Sequence, residues 1–250
     1  MRLRLTLLAG MLGLTAVALA TPAGANHSWA GYHWARTANP FTVNLGDNLS
    51  SSWKPYLATT SSDWSVSSVL DTVIVAGLSK GKNCRATSGR VEICNGAYGN
   101  NGWLGVAGVW ASGSHITQAV VKLNDTYFKT STYNTPAWRN LVMCQEVGHT
   151  FGLDHQDEAF DNPNLGTCMD YTRDPGTNQH PNQHDYDQLE AIYAHLDSSS
   201  TVAAAPAGAP GQMKRVRDSL WVQDLGKGQK LFTFVFWADG SKRHGPPQTD

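Results

Sequence analysis

The chain has no excess of charge of either sign. Its 250 residues sum to a formal −1, and no basic face of the kind a nucleic-acid partner needs is visible, so no nucleic acid is expected. It has no C-x-x-C pair, which removes the usual basis for a cysteine zinc site. No internal repeat occurs. Only one apolar run is long, Leu5–Ala20, and it is on the short side for a membrane span.

That run follows Arg2 and Arg4 and precedes Ala23-Gly24-Ala25. A charged start, an apolar stretch and a small-x-small site predict a signal peptide over 1–25, cleaved after about Ala25. Its removal takes away two arginines and leaves −3. The mature chain, with no transmembrane segment, is expected to be secreted and extracellular. All four cysteines lie in the mature part. An even count in an exported chain suggests disulfides, with three possible pairings. Locality favours Cys84 with Cys94, closing a Gly/Ser-rich loop, and Cys144 with Cys168.

Periodicity and turn residues divide the chain. Strands are expected at 41–45, 69–77 and 90–94, and a hairpin from 102–110 and 115–124. A helix is expected over 51–64, with Ser51 or Ser52 as its cap. Another spans 135–152, with Thr135 as cap and Pro136 in its first turn, and a last one spans 184–197. Residues 198–212 are rich in Ala, Pro, Gly and Ser and read as a flexible linker. Beyond it, within 213–250, "LWVQDL" and "KLFTFVFWA" flank Gly226-Lys227-Gly228 as a β-hairpin extension, too small to fold alone.

The chemistry concentrates at 144–155, "CQEVGHTFGLDH". Residues 145 and 149 share one helix face, and Glu146 lies beside it. Gly152 can adopt a left-handed turn that ends the helix, letting His155 approach the same point from a loop. Two histidines, a carboxylate and a turn suit a zinc site with Glu146 as general base.

"QEVGHTFGLDH" followed by "CMDYT" resembles the metzincin zinc metalloproteases, most of all the matrixin-like ones. The resemblance covers about 40–197, within an expected catalytic domain of 26–197. It implies an α+β fold: a twisted mixed sheet with packed helices, an active-site helix, a Met-turn and a C-terminal helix. It implies His149 and His155 as zinc ligands, Glu146 as general base and proton shuttle, Gly152 as the turn and Met169 as the floor of the Met-turn. Tyr171, two residues after Met169, reads either as an oxyanion-stabilising catalytic group or as a core tyrosine. An edge strand above the cleft would pair with substrate, and 102–110 is the candidate. Calcium occurs in such proteins, but no calcium loop is indicated here.

The departure is Gln145, which stands where the family pattern has its first histidine. Gln145 would bind zinc through its side-chain oxygen, or another residue would complete the shell, or no zinc binds. His27, His33, His180, His184, Asp154 and Asp157 are the candidate replacements. Asp157 is the favoured carboxylate for orienting His155. The expected function is a secreted zinc-dependent endopeptidase acting on a peptide or protein substrate. The alternative is a catalytically inactive metzincin-like protein that binds peptides or a surface partner. A zinc hydrolase of a non-protein substrate is a third reading, since fold does not fix substrate.

Overall fold

The computed structural model describes residues 27–202 and 212–238. The expected signal peptide and most of the expected linker lie outside the described residues. In chain order the elements are β1 (His33–Trp34), β2 (Phe41–Asn48), α1 (Lys54–Trp64), β3 (Leu70–Ala76), β4 (Val91–Gly96), β5 (Trp103–Ser112) and β6 (His115–Asn124). Then come α2 (Asp125–Phe128), α3 (Pro136–His149), α4 (Gln183–Ile192), β7 (Met213–Arg217), β8 (Leu220–Gly226) and β9 (Gln229–Trp237). This is an α+β fold with one large mixed sheet, ordered β3-β2-β4-β6-β5-β9-β8-β7, with β1 paired to β6. The β3, β2, β4 and β6 ladders are parallel, and those from β6 through β5 to β7 are antiparallel.

Local chemistry sets the ends of the elements. The Thr135 hydroxyl accepts from Trp138 N and caps α3, and Pro136 sits in the first turn, where a missing N–H costs nothing. The last helix is capped by a reciprocal Asn182–Asp185 box. It stops at Ile192, short of the expected 197, and Tyr193 turns back into the core, its hydroxyl donating to Phe151 O at 2.9 Å. Helix α1 begins three residues later than expected, with buried Trp53 rather than a serine at its cap. The first expected strand runs on to Asn48. The Gly226-Lys227-Gly228 turn takes three positive φ angles and closes the β8–β9 hairpin. Short β7, α2 and β1 gave no expectation.

Helices α1 and α3 pack on each other and on one face of the sheet. Indole groups satisfy carbonyls along α3 and at its C-terminal end, where the helix leaves acceptors without partners. Trp64 Nε1 donates to Cys144 O (3.2 Å), Trp29 Nε1 to His149 O (3.3 Å) and Trp34 Nε1 to Thr150 O (2.8 Å). Cys84 is bonded to Cys94, and Cys144 to Cys168. No helix among the described residues is long and apolar enough to cross a membrane.

The candidate substrate strand requires a correction. Strand β5 is not an edge: β9 pairs antiparallel with it from Trp103 to Ser112. The physical reason is that the backbone groups on that side of β5 are taken by β9, a strand from the C-terminal segment. Both strands are also near-continuous apolar runs, covered on both faces. Phe232, Phe234 and Phe236 of β9 join the main core, while Val235 and Trp237 pack with Trp103, Val106 and Trp221 on the opposite face.

Candidate metal centre

Helix α3 carries Gln145, Glu146 and His149, all fully buried. Beyond its end, Gly152 has φ +100°, which L side chains resist. A Cβ there would also lie 2.2 Å from Tyr32 O. The turn sends the chain past His27, whose carbonyl receives Asp154 N at 2.5 Å, and delivers His155 to His149.

The two imidazoles meet edge to face, with Nε2 atoms 2.9 Å apart. His149 Nδ1 lies 2.8 Å from Leu153 O. A carbonyl only accepts, so Nδ1 carries the proton and Nε2 presents its lone pair. Burial first, then the neighbouring His155, hold the His149 imidazole well below its usual range and keep it neutral. His155 Nδ1 lies 2.9 Å from Glu158 Oε1, which likewise turns Nε2 inward. Two ring nitrogens this close need a proton or a cation between them.

Gln145 Nε2 donates to Cys168 O at 2.7 Å. That bond fixes the amide orientation and leaves Oε1 as a buried acceptor without a hydrogen bond. An orphaned oxygen one helical turn before His149 fits a cation better than it fits a dry core. His149 Nε2 and His155 Nε2 thus converge, and Gln145, one turn earlier on α3, keeps a buried oxygen without a hydrogen bond.

Burial raises the Glu146 carboxyl well above its usual range, and the amides of Phe236 and Ala107 act against that shift. Neither oxygen accepts a hydrogen bond of full geometry. Strand β5 presses on this carboxylate: a Cβ at Gly105 would lie 2.6 Å from Glu146 Oε1. Met169 packs beneath α3, where a Cβ at Gly148 would come within 2.7 Å of its sulfur. Its segment runs beside that of His155, with Gln156 N donating to Met169 O (2.7 Å) and Tyr171 N to Asp157 O (3.1 Å). Tyr171 lies against His155, ring centroids 4.7 Å apart, and its hydroxyl donates to Val235 O.

Glu158, not Asp157, meets His155 Nδ1. Asp157 instead accepts from Ala159 N, closing its own turn. Burial alone would raise the Glu158 carboxyl, but His155, Ser219 and Arg217 outweigh it and bring it down to about 2. The other candidate replacements are engaged elsewhere. His27 pairs with Asp185 (3.2 Å) and stacks on His184, His180 meets Asp63 (2.7 Å), and His33 faces Asp197 (3.5 Å). Asp154 is 3.8 Å from His155, but on its Nδ1 side.

Strand β9 closes the site. The Phe234 ring stacks on His149 with centroids 4.2 Å apart and planes 13° from parallel. Phe236 contacts Tyr171 at 4.7 Å. Arg217, the last residue of β7, anchors the hairpin by donating to Glu158 at 2.7 Å and to Asp154. Sequence reasoning missed Glu158, Arg217 and Phe234. For Glu158 the available signal was a carboxylate three residues after His155. Compared with known proteins, the chain matches no protein-family model and no curated protein.

Proposed function

We propose that the chain is a secreted zinc-dependent endopeptidase of the metzincin type, closed in this state by its own C-terminal strand. The observation that carries the reading is the convergence of His149 Nε2 and His155 Nε2 at 2.9 Å, with Gln145 one helical turn before His149 keeping a buried oxygen without a hydrogen bond. These three atoms would hold the metal. A zinc ion there supplies Lewis acidity to a peptide carbonyl and to water.

The chain's own groups do the rest. Glu146 takes a proton from the attacking water onto its carboxylate and passes it to the leaving amide nitrogen. Tyr171 donates to a peptide carbonyl oxygen, as it does to Val235. With β6 on one side and β9 on the other, β5 has no free edge, so a peptide could pair there only if the hairpin left.

One observation favours the second reading, an inactive relative with a filled cleft: Phe234 covers His149. A single experiment separates the two. A specific protease site is placed within 203–211, the mature chain is cut there, and Arg217→Ala weakens the hairpin anchor. Zinc-replete protein is then given a mixed unfolded-protein substrate. Cleavage abolished by Glu146→Ala and by a chelator supports the peptidase. No cleavage by folded, zinc-loaded chain supports the filled cleft.

A further inference from the structure

A second group of ligand-type side chains gathers where β1 meets β6 and the chain leaves α4. The parallel β1–β6 pairing places His33 opposite His115. The turn after α4 brings His195 and Asp197 to the same point. His33 Nε2 is 3.5 Å from Asp197 Oδ1, and His115 Nε2 is 3.2 Å from that oxygen. His195 Nε2 is 3.2 Å from His33 Nε2 and 3.7 Å from Asp197 Oδ1.

We propose that His33, His115, His195 and Asp197 bind a structural zinc ion that fastens the N-terminal strand to the end of the last helix. Zinc–ligand bonds of about 2.0–2.1 Å in a tetrahedron separate neighbouring donor atoms by about 3.3 Å. The His33, His115 and Asp197 donor atoms all lie within 4.8 Å of one another, and the half-exposed His195 side chain reaches His33 Nε2 and Asp197 Oδ1. Three imidazoles and one carboxylate fill four positions and leave none for water, which is the pattern of a structural rather than a catalytic site.

The surroundings orient the donors. His33 Nδ1 lies 2.7 Å from Gly31 O. The proton therefore sits on Nδ1, and the Nε2 lone pair faces the cluster. Arg36 holds the other oxygen of Asp197, with Nη1 at 2.8 Å and the backbone N at 3.2 Å. Oδ1 is thus turned toward the imidazoles. Arg36 also donates to the carbonyls of Tyr193 (2.8 Å) and His195, which fixes the segment carrying two of the four donors. His33 and Asp197 are well covered, with side chains 5% and 10% exposed. A lone pair held toward a carboxylate oxygen in such a place is repelled unless a proton or cation intervenes.

The side chains of His115 and His195 are 34% and 54% exposed, so replacing them leaves the core intact. The test uses the full mature chain, stripped of metal and titrated with zinc, beside the His115→Ala/His195→Ala variant. Any zinc bound at the candidate metal centre is common to both proteins, so the difference isolates this cluster. The wild-type chain is expected to bind one more equivalent of zinc than the variant. Affinity for that equivalent should fall at least about 100-fold on losing the two ligands. The part of the zinc-dependent rise in Tm that belongs to the cluster should vanish with it. Tetrahedral cobalt(II) absorption should weaken in parallel. Equal stoichiometry and equal zinc-dependent Tm shifts in the two proteins would overturn the proposal and leave a hydrogen-bonded His–Asp network.

Discussion

A neutral amide oxygen is a weaker zinc donor than imidazole, yet position 145 holds its amide in one orientation. The bond from Gln145 Nε2 to Cys168 O leaves Oε1 alone, so the amide is set before any metal arrives. On the proposed reading, Gln145→Ala lowers the zinc affinity of this centre at least about 10-fold, measured by competition with a chromogenic chelator. It also leaves Cys168 O unpaired in the interior, at a cost of about 1–3 kcal/mol. Gln145→His raises the affinity instead. The residue pattern made Glu146, His149, Gly152, His155 and Met169 legible, because helical spacing and one turn residue fix their relation. Glu158 was not legible. Asp154, Asp157 and Glu158 all lie within three residues of His155, and only the path of the chain decides which one reaches Nδ1.

At the scale of elements, α3 is held by close approach and by a covalent tie. Gly148 lets Met169 and Trp64 touch the helix backbone. Gly148→Ala overpacks that contact and is expected to destabilise the fold by about 1–3 kcal/mol in urea unfolding, unless the methionine sulfur shifts aside. The Cys144–Cys168 bond spans 24 residues and joins α3 to the segment carrying Met169. Replacing both cysteines by alanine should cost about 2–4 kcal/mol, read from the denaturant midpoint. Most strands and helices followed from alternation, caps and glycine turns. The paired state of β5 did not follow from the resemblance, which suggested an edge. Its composition, "WLGVAGVW", shows no polar alternation and so indicated two covered faces, but says nothing about which strand pairs at its edge.

At the scale of the whole molecule, β7, β8 and β9 continue the sheet, and β9 pairs along the side of β5 that the resemblance would leave open. Its partnership with β5 lies more than a hundred residues away in sequence. No local pattern reveals such a contact, although the apolar run in β9 already called for cover on both faces. Arg217→Ala removes the two carboxylate contacts that pin this hairpin. It should speed amide hydrogen exchange along β8 and β9 while leaving β2 and β4 protected. The most direct test of the account is the zinc content and coordination of the folded His115→Ala/His195→Ala chain, where the centre at His149 and His155 remains. The account predicts one tightly held zinc with two imidazole nitrogens and oxygen donors by X-ray absorption, weakened by Gln145→Ala. A folded, zinc-replete chain that retains no zinc, or a zinc bound without Gln145, would contradict it.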